Sequence, residues 1–172
     1  MKILKIFLVL LFAMKAYSQD KKTNDYKILI DSSIVIKAND YYKFYNEQLT
    51  KDIHTENWKY YIEKLKKSIN SIHIIDQDGR SIDLSSIKTQ IPLKTLDVYD
   101  KNNKILLKKG VAIWKVIPVL KGDVLTITIL DAKLTYKNKR YNFINGGGST
   151  IIFQYSCEEK KWVLIKEEHT GI

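Results

Sequence analysis

The 172-residue chain holds one cysteine, two prolines, seven glycines and three histidines, and only two of its basic residues, Arg80 and Arg140, are arginines. Each shortage removes a class of explanation. A lone Cys157 excludes an intramolecular disulfide, so the fold must rest on its core. The plain expectation for that residue is a small buried apolar side chain in a strand. His54, His73 and His169 show neither i, i+4 spacing nor an HExxH frame, so no metal ligand is named from the sequence, and a composite site would have to be assembled by folding. With so few arginines, the bidentate fork that phosphate recognition favours is nearly missing, and no nucleic-acid partner is expected. Nor is there a repeat, a low-complexity tract or a linker to divide the chain.

What is present begins with an export pattern. Lys2 and Lys5 precede the apolar run Ile6 to Met14, and Ala16-Tyr17-Ser18 places small residues ahead of Gln19. Residues 1–18 therefore read as a signal peptide cleaved before Gln19, and the remaining chain as periplasmic or secreted. A transmembrane anchor needs about 20 apolar residues, and this run stops at Lys15. Residues 19–172 are the size of one domain, able to bury roughly 68–70% of their unfolded surface without staples.

The formal charge is +10, of which the lysines at 2, 5 and 15 supply three, so residues 19–172 carry +7. Such a surplus suits anionic partners such as acidic glycans or lipid headgroups. The lysines, however, are strewn along the chain with acids between them, and the joint richness in Lys, Ile, Asn and Tyr is a compositional bias that accounts for the charge.

Hydrophobic spacing orders the rest. Gln19 to Asn24 is polar and reads as a disordered leader. Ile30, Ile34, Ala38, Tyr41, Tyr45 and Leu49 follow a helical stripe. A second runs through Trp58, Tyr61, Ile62, Leu65 and Ile69, with Thr55 or Asn57 as cap. Ile72 to Ile75 then forms a short strand ending in the turn Asp76-Gln77-Asp78-Gly79, and Ser81 to Gln90 reads as a loop or short helix. Leu96 to Tyr99 and Ile105 to Leu107 flank a turn at Asn102-Asn103. Val111 to Leu120 is a strand whose Pro118 marks an edge or a bulge. Leu125, Ile127 and Ile129 alternate with threonines as a half-buried strand. Leu134 to Tyr136 and Tyr141 to Phe143 flank a turn at Asn138-Lys139, Asn145 to Ser149 reads as a glycine loop, and Ile151 to Tyr155 and Trp162 to Ile165 complete the sheet. Helices first and a strand meander second predict an α+β domain, with helices packed on a curved antiparallel sheet.

Few residues suggest chemistry. Asp76 and Asp78 lack the further ligands a calcium loop needs. Gly146-Gly147-Gly148 is followed by a strand rather than a helix, so it reads as a flexible loop and not as a phosphate cradle. Glu158 and Glu159 beside Cys157 disfavour a nucleophilic thiolate. No catalytic residue and no cofactor is assigned. The aromatics are more telling: Tyr41, Tyr42, Phe44 and Tyr45 cluster on the first helix, and Trp58, Tyr60 and Tyr61 open the second. Tyrosines on a helix over a concave sheet can line an apolar pocket. Tyr42 and Tyr60 lie off the buried stripes and, with Trp58, are the candidate ligand-binding residues.

Taken together, Ala16-Tyr17-Ser18-Gln19, Ile74-Ile75-Asp76, Gly110 with Trp114, Tyr136 with Tyr141 and Phe143, and the tail from Phe153 through Cys157 and Trp162-Val163-Leu164 to Gly171-Ile172 resemble small exported proteins of Bacteroidota, of the flavobacterial type, a group that carries no functional assignment. The element order is similar to cystatin-like and NTF2-like cones, folds that host enzymes and binders alike. The expectation is an exported, non-enzymatic binding module of the cell envelope, its partner a protein or a small molecule and its oligomeric state unspecified. The alternatives are an immunity-type inhibitor of a secreted toxin or hydrolase, a small envelope enzyme with a composite site, and a domain held electrostatically on an anionic surface.

Overall fold

A sheet of six strands, with two helices preceding it in the chain, forms the body of the protein. The computed structural model describes the backbone of residues 2–53 and 55–170, with side chains from residue 25 onward. The expected signal segment and His54 lie outside the described side chains. Helix α1 spans Lys2–Leu49 and α2 spans Glu56–Ile69; Gln19 to Asn24, read from sequence as a leader, fall within the bounds of α1. Thr55 caps α2, its hydroxyl accepting from Trp58 N at 3.2 Å, which satisfies a donor that the first helical turn leaves open.

The strands are β1 (His73–Ile75), β2 (Lys94–Thr95), β3 (Val111–Lys121), β4 (Val124–Lys137), β5 (Arg140–Ser156) and β6 (Lys161–Thr170), in the spatial order β2-β1-β3-β4-β5-β6. The α+β class expected from the sequence is what forms. The sheet is mixed, because β1 pairs in parallel with both β2 and β3 while β3 to β6 run as an antiparallel meander. All three residues of β1 are buried, as a strand between two neighbours and two covered faces requires. Ile74 faces one core and Ile75 the other. The larger core joins Ile34, Ala38 and Ile69 of the helices to Ile74, Trp114, Val116, Ile127, Ile129 and Ile151. The smaller gathers Ile75, Leu96, Val98, Leu107, Val111, Ile113 and Leu134 on the opposite face.

Several local expectations are corrected. Ile105 to Leu107 belong to a short helix, α3 (Lys104–Lys109), preceded by a 3-10 turn at Lys101–Asn103, because Leu107 is drawn fully into the smaller core. Asn145 to Ser149 is not a loop. It lies within β5, whose register against β4 shifts at Asp131 and Ala132, so the glycines build a bulge that bends one long strand. Gly148 is required there, since a Cβ would sit 2.7 Å from Ile129 O. Cys157 is exposed in the turn before β6 rather than buried in a strand. Asn138 and Lys139, both with positive φ, form the tight turn that the sequence suggests. Pro118 pairs with Ile127 on the part of β3 that lies past the reach of β1. Among the described residues no helix is long and apolar enough to cross a membrane.

Candidate functional site

The helices do not lie flush on the sheet. Between α1, α2 and the strands β3, β4 and β5 opens a cavity of about 560 Å³, within the range that holds small organic ligands. Tyr41 and Phe44 line it from α1, Tyr61, Leu65 and Ser68 from α2, and Ala112, Trp114, Asp131, Lys133 and Ile144 from the sheet. The register explains the sheet's share. Ala112 is paired with Lys133 and Trp114 with Asp131, and paired residues present their side chains on one face. Trp114 forms the floor at 2% exposure, with the Tyr41 ring meeting it edge-on at 6.0 Å between centroids.

The cavity walls are mainly apolar, with polar side chains at Ser68, Asp131, Lys133 and Asn145. The Tyr41 hydroxyl lies 3.4 Å from Ser68 Oγ, and burial pushes the Tyr41 phenol above its ordinary pKa, so it works as a neutral hydrogen-bonding group. Asp131 stands beside it, with Oδ2 accepting from Lys37 Nζ at 2.8 Å. The Lys37 side chain is only 4% exposed, and its ammonium also lies 5.0 Å from the Trp114 ring centroid. A buried charge persists only when paired, and this pair fixes the Asp131 side of the cavity to the helix.

From Lys37 the hydrogen bonding continues away from the cavity. Lys37 Nζ donates to Ser149 Oγ at 3.1 Å, and Ser149 Oγ and His169 Nδ1 share a bond of 2.9 Å. On the ring's far side His169 Nε2 lies 2.8 Å from Glu167 Oε1 and 3.2 Å from Asp40 Oδ2. Burial, together with the adjacent Glu167, raises the Asp40 pKa. For Glu167 burial acts upward too, but hydrogen bonds from Asp40 and His169 outweigh it and hold the carboxyl below its usual range.

Serine, histidine and carboxylates in a row invite comparison with a hydrolytic triad. Ser149 is only 2% exposed, lies outside the cavity lining and has its oxygen occupied by Lys37. A nucleophile must reach a substrate carbonyl and have an oxyanion site beside it; Ser149 is instead a strut between α1 and the sheet.

The sequence-named residues do not converge. Tyr42 lines a separate groove with Asp40, Lys43 and Gln90. Tyr60 is 61% exposed, with Lys64 Nζ 4.7 Å from its ring centroid. Trp58 is half-buried and packs on Tyr61 at 5.1 Å between centroids. The cavity instead takes Tyr41, Phe44 and Tyr61, residues of the same two aromatic clusters, and their places near the buried stripes were the signal. Of the histidines, His73 is buried in β1 and His169 has joined two acids that spacing could not connect. Comparison with models of protein families, with curated proteins and with solved structures finds no match to this chain.

Proposed function

We propose that the chain is an exported, non-enzymatic binding module of the cell envelope that holds a small amphipathic molecule between α1, α2 and the sheet. The observation that carries this reading is the cavity of about 560 Å³, with aromatic and aliphatic walls and polar side chains at Ser68, Asp131, Lys133 and Asn145. Burial of aromatic surface supplies affinity, and few polar groups fix orientation. The Asp131 carboxylate accepts hydrogen bonds, so the ligand presents a donor there, a hydroxyl, amide or amine, while its apolar body lies along Trp114, Phe44 and Leu65. Export rests on the basic, apolar and small-residue order of the first 18 positions.

Two experiments test the reading. Mass spectrometry of the protein from the envelope fraction of its own cells should show Gln19 as the first residue; retention of Met1 in that fraction overturns the export reading. Native mass spectrometry of the same preparation should show a bound small molecule that is lost from the cavity-filling variant Ala112→Phe. A molecule retained equally by that variant places binding elsewhere and overturns the cavity reading.

A further inference from the structure

We infer that Asp40, Glu167 and His169 form a binding site for a divalent transition-metal ion, clamping α1 to the edge strand β6. The three side chains offer Asp40 Oδ2, Glu167 Oε1 and His169 Nε2, and these atoms lie within 4.8 Å of one another. His169 Nε2 is 3.2 Å from the Asp40 oxygen and 2.8 Å from the Glu167 oxygen. Ligands that each sit about 2.0–2.2 Å from a zinc ion are separated by somewhat more than 3 Å, so a small outward shift of these atoms admits an ion.

A second observation is independent of this grouping. Asp40 Oδ2 is buried and makes no hydrogen bond, although His169 Nε2 lies 3.2 Å away. A buried acceptor left unpaired is unfavourable, and a cation placed among the three atoms supplies the missing partner. It also screens the two adjacent carboxyls from each other.

The surroundings are those of a supported ligand. Metal-binding histidines use their second ring nitrogen to bond a fixed partner, which sets the ring's orientation. Here His169 Nδ1 meets Ser149 Oγ at 2.9 Å, and Ser149 is held by Lys37, itself held by Asp131. With a metal on Nε2, the ring carries its one proton on Nδ1 and donates it to Ser149 Oγ. The donor set decides the class of ion. One imidazole and two carboxylates suit zinc, manganese, cobalt or ferrous iron, whereas calcium and magnesium prefer oxygen alone. The three side chains stay 27–38% exposed, so an ion can enter and water can complete its coordination.

The test is isothermal titration of the untagged full chain with zinc, manganese, calcium and magnesium chlorides, alongside cobalt absorption spectra. One zinc should bind per chain, at least tenfold more tightly than calcium, and cobalt should develop visible bands of low coordination number. His169→Gln and Asp40→Asn should each weaken zinc binding by at least tenfold with an unchanged circular-dichroism spectrum, while His73→Gln leaves it unaltered. If either ligand variant fails to fold, Glu167→Gln, on the exposed edge strand, carries the same expectation. Absence of stoichiometric zinc, manganese or cobalt binding, or undiminished binding in the folded ligand variants, overturns the inference.

Discussion

Lys37 Nζ and Asp131 Oδ2 stand 2.8 Å apart across 94 residues of sequence, and their contact fastens α1 to the centre of the sheet. The pair is unequal. The lysine side chain is 4% exposed and the aspartate 27%, so water reaches the acid more readily than the base. Removing the acid strands a charge in the core, whereas removing the base leaves one at a cavity wall. Asp131→Asn should therefore cost about 3 kcal/mol of unfolding free energy, and Lys37→Met only about 1 kcal/mol. The double variant should be more stable than Asp131→Asn alone. Urea denaturation measures all three, and the reverse order would mean that the pair is effectively solvated.

His73 gives a pH signature. Burial lowers its pKa below the ordinary 6.5, against the opposing backbone hydrogen bonds of Ser71 and Ala112, and its Nδ1 is buried without a partner. The unfolded chain binds a proton at this histidine before the folded chain does. Its stabilising contribution is therefore complete above the unfolded pKa and is lost as pH falls through about 6.5 toward the lower folded value. Between about pH 7.5 and pH 5 the wild type should lose more stability than His73→Leu; equal losses would show that His73 protonates freely in the fold.

The bulge in β5 separates two glycines. At Gly148 a Cβ would meet Ile129 O at 2.7 Å, a backbone atom that cannot move without disturbing β4, while at Gly146 the nearest atom is Asp131 O at an ordinary 3.5 Å. Gly148→Ala should cost about 2 kcal/mol or more through this overpacking, and Gly146→Ala less than about 1 kcal/mol. Thermal unfolding of the two variants, side by side, reads the difference.

Cys157 is exposed in the β5–β6 turn. It should react fully with a thiol reagent such as Ellman's reagent in the native protein, and the oxidised protein should run as a disulfide-linked dimer that reductant dissolves. A thiol that titrates only in denaturant would contradict the placement.

The sequence carried the helices and the outer meander because both rest on periodic burial. The spacing of Ile34 and Ala38, the Thr55 cap, the alternation of Leu125, Ile127 and Ile129, and the Asn138-Lys139 turn are local signals that tertiary contacts reinforce. The parallel pairing of β1 was hidden because three buried residues have no alternation to read. The glycines at 146–148 have the composition of a loop, and only the approach of Ile129 O reveals why they are small. The cavity was half legible: its aromatic clusters were visible, but which of them line it, with Tyr41 set against Trp114 and Tyr60 left outside, is decided by tertiary packing. The grouping of Asp40 with Glu167 and His169 joins opposite ends of the chain, and no spacing rule reaches that far.

The most direct test of the ligand cavity is a fluorescence titration with N-phenyl-1-naphthylamine, an apolar aromatic probe whose amine can donate to Asp131. The cavity predicts saturable binding at one site, abolished by Ala112→Phe and weakened by Asp131→Asn, with Tyr60→Ala without effect. Binding that survives Ala112→Phe, or that follows Tyr60 instead, would contradict it and move the function of this protein to its surface.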